Sequence, residues 1–277
     1  MKLLLSILTF CSISIQPLFA QYYFNDIVAT NNTNQLQQLY VKQNIKTIKT
    51  VSKESDGSII NDFFIMQSIH KNGNEITTQS QQSSGSKSVL KSFFENGKIV
   101  KTINEEDGVS TTSIYSYIDN KLQSIVSGTT DTFITSNSKE EHIWFYKSNS
   151  TPEKMFKIKN GKDTTVVNFI SDENNLIIEE QWVRNGKMIE NYYYYYNDKN
   201  WLTDIVRYNN KAKKMLPDFL YEYDTEGRVS KMIQVIAGGT NYNIWVYTYN
   251  SLGLKEKEVC YDKKKQLLGT VEYLYNN

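Results

Sequence analysis

Residues equipped for chemistry are scarce in this chain. It holds two histidines and two cysteines in 277 residues. His70 stands in Ser68-Ile69-His70-Lys71, just before an Asn-Gly turn, and His142 follows Glu140-Glu141 at the start of an aromatic run. Neither has a second ligand at metal-binding spacing, and there is no His-Glu-x-x-His and no cysteine pair, so a zinc centre or a Cys–His nucleophile lacks its material. Both histidines read as surface residues at strand ends. No Gly-x-Ser-x-Gly elbow occurs. Gly238-Gly239, after Val235-Ile236-Ala237, lacks the further glycines and the lysine of a phosphate loop and reads as a hairpin turn. The expectation is no catalytic residue, no metal site and no cofactor.

Carboxylates and aromatic rings remain. Glycosidases hold two carboxylates about 5–10 Å apart. Candidates are Glu179-Glu180, Glu105-Glu106-Asp107, Glu140-Glu141 and the turn acids Asp172, Asp198 and Asp224. The turn acids recur at equivalent points, which is also what turn chemistry demands, because Asp and Asn bond their own backbone there. No single turn has the ligand spacing of a calcium loop. The chain carries 20 Tyr, 12 Phe and 4 Trp. Rings flanked by Asn, Asp and Gln suit sugars, whose flat apolar faces stack while hydroxyls take hydrogen bonds. On that reasoning the candidate binding residues are Tyr194, Tyr196, Trp201, Tyr221, Tyr223, Trp245, Tyr247 and Tyr249. The competing reading is core, since large rings supply most of the buried area of a thin sheet.

The elements that must position these residues are mostly strands. One helix is expected over 31–43, where Leu36, Leu39 and Tyr40 share a face and Thr33 or Asn34 would cap the start. Beyond Ile45 the hydrophobic period becomes two. Asp56-Gly57, Asn72-Gly73, Asn96-Gly97, Asp107-Gly108, Asn160-Gly161 and Asn185-Gly186 then punctuate runs rich in Ile, Val, Thr, Tyr and Phe. Asn-Gly and Asp-Gly suit two-residue hairpin turns, which need positive φ at both central positions. With only 3 Pro to interrupt ladders, the chain reads as all-β, hairpin after hairpin. Gln79–Ser88, rich in Gln and Ser, reads as a flexible loop.

The chain also repeats. Runs ending in an aromatic anchor and then turning polar have anchors at Phe94, Tyr117, Tyr146, Ile170 (beside Phe169), Tyr196, Tyr223, Tyr249 and Tyr275, about 26 residues apart. Such a period signals stacked supersecondary units, here two strands and two turns each. Tyr223-Asp224-Thr225-Glu226-Gly227-Arg228-Val229 resembles the YD repeat of RHS-type secreted proteins, with looser copies at Tyr249-Asn250-Ser251-Leu252-Gly253-Leu254 and Tyr196-Asn197-Asp198-Lys199-Asn200. The resemblance spans residues 92–277 and implies strand geometry and export. RHS proteins wind such repeats into a shell around a toxic cargo; at 277 residues this chain reads as too short for a closed shell. The Asn-Gly-Lys turns at 96–98, 160–162 and 185–187 resemble MORN-like hairpin repeats in second place. The expected architecture is an antiparallel meander of 16–18 strands in about 26-residue units, an elongated twisted or half-shell sheet with a short N-terminal helix.

Charge and leader complete the reading. Lys2, an apolar stretch from Leu3 to Ile15 and the ending Pro17-Leu18-Phe19-Ala20 make a secretory signal peptide over 1–20, cut after Ala20. Lipidation at Cys11, after the large Phe10, and an uncleaved anchor are the alternatives. The mature chain, 21–277, is one β domain: 21–91 is a degenerate part with the helix, and 92–277 carries the repeats. It keeps one cysteine, Cys260, and so no internal disulfide; in Val259-Cys260-Tyr261 it reads as a small buried strand residue. With 31 basic and 30 acidic residues, no net field favours nucleic acid, and the mature chain has no transmembrane segment. The expected function is an exported, non-catalytic binding or structural module, periplasmic, cell-surface or extracellular, with a protein or glycan partner gripped at the unpaired last strand, Val271–Asn277. The alternative is a carbohydrate-active hydrolase with two carboxylates on the concave sheet face.

Overall fold

The structure, a computed structural model, describes residues 21–82, 84–133, 136–209, 213–236 and 241–277. The readings of the signal peptide, Cys11 and Gly238-Gly239 fall outside them. Eighteen strands follow an N-terminal helical segment. They are β1 (Thr47–Glu54), β2 (Phe64–His70), β3 (Glu75–Gln81), β4 (Lys87–Glu95), β5 (Lys98–Glu106), β6 (Val109–Ile118), β7 (Lys121–Asp131), β8 (Ser136–Tyr146) and β9 (Pro152–Lys159). The second half has β10 (Asp163–Ser171), β11 (Ile177–Arg184), β12 (Lys187–Tyr196), β13 (Leu202–Asn209), β14 (Lys214–Tyr223), β15 (Val229–Val235), β16 (Tyr242–Tyr249), β17 (Lys255–Tyr261) and β18 (Leu267–Asn276).

Each strand pairs antiparallel with its neighbours in sequence, and β1 also pairs with β18 from Thr47↔Asn276 to Glu54↔Gly269. The sheet is therefore a closed 18-stranded barrel, which corrects the elongated or half-shell expectation. Closure also removes the expected docking edge: β18 is bonded on both sides, to β17 and to β1. A long open sheet would expose two reactive edges, and closing it abolishes both.

Local chemistry builds the walls. The Asn-Gly and Asp-Gly pairs at 96–97, 107–108, 160–161 and 185–186 have positive φ at both residues, as two-residue hairpin turns require. Longer turns at one rim use a side-chain device. Asp172, Asn197, Asp224 and Asn250 each accept, on Oδ1, the backbone amides two and four residues on. The expected flexible loop at 79–88 is strand at both ends, over 79–81 and 87–88, with Ser80 and Ser88 hydroxyls 2.8 Å apart across β3 and β4.

All eight anchors lie at this rim. The hydroxyls of Tyr117, Tyr146, Tyr196, Tyr223, Tyr249 and Tyr275 each donate to a backbone carbonyl of the preceding hairpin, on Ile99, Leu122, Ile177, Leu202, Val229 and Lys255, at 2.5–2.9 Å. In β6, β8, β12, β14 and β16 the register shifts by one residue directly before that tyrosine. The bulge re-aims the ring along the wall.

An 18-stranded barrel is wide enough to hold a channel. Here the N-terminal segment lies in the lumen, as a π-helical stretch (Tyr23–Val28) running into α1 (Ala29–Lys42). It touches inward-facing groups from strands all round the ring, including Gln67 on β2, His142 on β8, Glu180 on β11 and Asp218 on β14. Helix thus begins well before the expected residue 31, and Thr33 and Asn34 are interior to it. Thr33 Oγ1 bonds back to Ala29 O, and Asn34 Oδ1 accepts from the backbone of Ile99. No local cap is needed, because the first amides are capped by a distant carboxylate, Glu180.

Candidate functional site

Three of the buried charged groups among the described residues, Asp26, Glu180 and Asp218, lie where this plug meets the wall; a fourth, Glu258 on β17, is paired with Lys255 and Tyr273 instead. Tyr22 and Tyr23 backbone amides donate to Glu180 Oε1 and Oε2 at 2.9 and 3.0 Å, and the Trp182 indole and Tyr194 hydroxyl donate to the same carboxylate at 2.6 Å each. Glu180 is fully buried. Burial pushes its carboxyl upward, while the donors pull the other way. Beside it, Asp218 accepts from Gln21 Nε2 at 3.2 Å and pairs with Arg207 at 3.0 Å. Burial raises Asp218 against the pull of Arg207.

A second knot lies one turn further along the plug. Asp26 Oδ2 takes His142 Nδ1 at 2.7 Å and Trp144 Nε1 at 3.1 Å, and His142 Nε2 meets Glu140 Oε1 at 3.0 Å. Lys157 bridges to Glu140 at 3.1 Å and lies over the Tyr22 ring, 5.1 Å from its centroid. Burial alone would lower His142, but Asp26 and Glu140 on its two nitrogens raise it to about 9. Burial would raise Glu140, but His142 and Lys157 bring it down to about 2. At neutral pH the imidazole is therefore a cation clamped between two carboxyl groups. A general base poised near pH 7 has the opposite requirement. His142 is a part-buried tie between plug and wall, not the surface residue the sequence suggests; His70 is exposed, as read.

The rings singled out in the sequence are distributed as follows. Tyr194, Tyr221, Trp245 and Tyr247 are buried in the lumen wall, and Tyr196, Tyr223 and Tyr249 make the rim bonds described above. Trp201 packs on Tyr223, with ring centroids 5.2 Å apart. Its ring also fills the space over Gly227, where an added Cβ would lie 2.8 Å from Trp201 Cζ2. The structure brings these eight side chains into one wall and leaves none of them among the exposed large hydrophobics. Open rings stand on the outer face instead: Tyr195 is 52% and Tyr208 46% exposed. Sequence reasoning passed over them because period two puts Tyr193 and Tyr195 opposite Tyr194 without saying which face is inside.

The acids meet similar fates. Asp172 and Asp224 serve their own turns, Glu180 lies beneath the plug and Glu140 is paired with His142 and Lys157. Among the described residues no group of three or more His, Cys, Asp or Glu stands together to hold a metal ion. Cys260 is buried, and burial lifts its thiol to about 12. Asp26, Gln21, Arg207 and Asp218 were missed. The only available signal was a lone acid inside an apolar run, at Asp26 within Tyr22-Tyr23-Phe24…Ile27-Val28 and at Asp218 within Leu216-Pro217…Phe219-Leu220. A shallow groove of about 310 Å³ beside the rim is lined by Ile118, Asp119, Lys121, Phe145, Glu153 and Lys154.

No family model matches this chain, and no curated protein matches it. Among solved structures, a porin-like protein from Bacteroides uniformis is similar at 10% identity over 84% of this chain and 98% of that one, with a TM-score of 0.35. A porin-like protein from Bacteroides vulgatus gives 12%, 84%, 98% and 0.33. TcdB2-TccC3 without its hypervariable C-terminal region, from the RHS/YD-repeat group of Tc toxins, gives 11% identity over 80% of this chain but only 13% of that one, with a TM-score of 0.36. Overlaps this low do not establish a common fold, and no activity is carried over from them.

Proposed function

We propose that the chain is an exported, non-catalytic barrel that acts as a binding module in the cell envelope or outside the cell. The observation that carries this reading is the plug. Residues 21–42 occupy the lumen, and the acids and the imidazole that a reaction would need are tied up in holding them there. The leader read over 1–20 supports export.

The outer wall supports a water-facing barrel. Glu272, next to the inward Val271 in the middle of β18, pairs with Lys53 on β1 and Lys257 on β17 at 2.8 and 3.6 Å. Glu179, next to the inward Glu180, joins Gln181 and Asn191 in an outer polar network. A lysine such as Lys53 or Lys257 on the lipid face of a spanning barrel costs about 2–4 kcal/mol near the midplane, and a Glu somewhat less. No helix among the described residues is long and apolar enough to cross a membrane.

The exposed rings of Tyr195 and Tyr208 on β12 and β13, with Ile189 and Met215 nearby in exposure, form the contact face of this reading. A glycan or a protein is the partner class. Glycan-array and partner-capture measurements on residues 21–277 test it against a Tyr195→Ala/Tyr208→Ala variant that keeps the wild-type melting temperature. Specific binding lost in the variant is the expected result. Binding indifferent to both rings would refute this contact face, and turnover of a bound glycan would refute the non-catalytic role.

A further inference from the structure

Gln21 follows the cleavage point read at Ala20, and it is 1% exposed inside the lumen. Its side chain bonds Asp218, and the next two backbone amides bond Glu180. The main-chain nitrogen of Gln21 is thus one residue away from a bond to Glu180 and belongs to the same residue as the bond to Asp218.

This corner of the lumen is rich in carboxyl groups. Glu180 is fully buried, and its four donors, two amides, an indole and a tyrosine hydroxyl, are all neutral. Asp218 and Glu190 share Arg207, at 3.0 and 3.7 Å. A carboxylate buried without a cation is costly, and a buried charge is ordinarily paired. A chain end at Gln21 would supply that cation where it is needed.

We propose that Gln21 is the terminus of the exported protein and that its α-ammonium binds in this acidic pocket as the counter-ion of Glu180, so that removal of residues 1–20 locks plug and barrel together. This rests on the export reading. Hydrolysis of the Ala20–Gln21 bond consumes one water, leaves the carboxylate on Ala20 and the amine, protonated, on Gln21. A free N-terminal Gln also cyclises: the amine attacks its own side-chain amide carbonyl, ammonia leaves and the positive charge is lost. Holding the Gln21 amide on Asp218 opposes that reaction.

Export from a Gram-negative host with the native leader, followed by intact mass and N-terminal sequencing, tests the terminus. A chain starting at uncyclised Gln21 is expected. An exported chain that starts elsewhere, or that is lighter by one ammonia, overturns this inference and leaves export standing; absence of export overturns the export reading itself. The pocket is tested separately on protein released from a fusion cut immediately before Gln21. Its α-amine should be acylated by acetic anhydride at least about tenfold more slowly folded than in urea. A short Gly-Ser extension should lower the melting temperature, and Glu180→Gln should shrink that difference. An amine equally reactive folded and unfolded, or an extension without effect on melting, overturns the pocket.

Discussion

His142 holds its charge only because of where it sits, and stability should follow that charge. Its folded value of about 9 lies above the ordinary 6.5, so protonation favours the folded state. The contribution is complete below about pH 6.5 and is lost as pH rises through about 9. A shift of that size corresponds to about 3 kcal/mol. Glu140, held at about 2 below its ordinary 4.5, works in the other direction: its contribution is present above about pH 4.5 and lost as pH falls through about 2. The urea midpoint should therefore be highest between about pH 4.5 and 6.5 and decline toward pH 9.5. His142→Gln should be less stable at pH 6 and should flatten the alkaline decline. A wild-type midpoint constant from pH 6 to 9.5 would show that the imidazolium is not there. Cys260 gives a second residue-scale expectation. Burial lifts the thiol to about 12, so it should resist iodoacetamide in the native protein and react at an ordinary rate in urea. The small buried character of Cys260 was legible from its strand neighbours. The roles of His142 and Glu180 were not, because their partners Asp26, Tyr22 and Tyr23 lie more than 110 residues away in sequence.

The hairpin is the element in which sequence and structure agree most closely, because its rules are local. Asn-Gly turns need only their own two φ angles, and Asp172, Asn197, Asp224 and Asn250, which follow four of the anchors, need only the amides two and four residues on. The rim tyrosines extend this local logic to the next hairpin. Each hydroxyl reaches a carbonyl 18 to 24 residues upstream, which is why the repeat has its period. A neutral hydrogen bond of this kind contributes about 1 kcal/mol. Tyr146→Phe and Tyr249→Phe, on separate hairpins, should each lower stability by about that amount and should add in the double variant. Tyr195→Phe, on the exposed outer face, is the control expected to change nothing. If the rim variants match that control, the hydroxyls are not holding the rim. The helix shows the limit of local reading. Its amphipathic face was visible from Leu36 onward, but its first turns are aromatic and are capped from β11, a partner no local pattern announces.

Closure belongs to the whole molecule, and nothing within one repeat encodes it. The seam joins β1 to β18, with Asn276 Nδ2 bonded to Thr47 Oγ1 across 229 residues. Eight anchors were legible; the ninth unit, at Ser68-Ile69-His70 on β2, is degenerate, and without it the count of hairpins does not reach a closed ring. Gly269 is a point at which the seam can be tested. It pairs with Cys260 on β17 and Glu54 on β1, and a Cβ built there would stand 2.8 Å from the Lys53 carbonyl oxygen, a backbone atom that cannot move without parting the strands. Gly269→Val should therefore strain β1 away from β18 while leaving the turns and the wall from β8 to β10 intact. The cost of such overpacking is about 1–3 kcal/mol. Amide exchange should rise in β1 and β18 and stay slow in β9 and β10, and the freed strand edges should promote dimers visible by size-exclusion chromatography. The plug makes this outcome informative. Ile48 on β1 belongs to the cluster that includes Tyr40 of α1, so loosening the seam should also loosen α1 while leaving the Glu180 and His142 ties on the opposite wall in place. Uniform loss of protection through all strands would mean that the barrel unfolds as one unit and that the seam has no separate stability. Unchanged exchange and a monomeric profile would mean that the ring is not closed at Gly269.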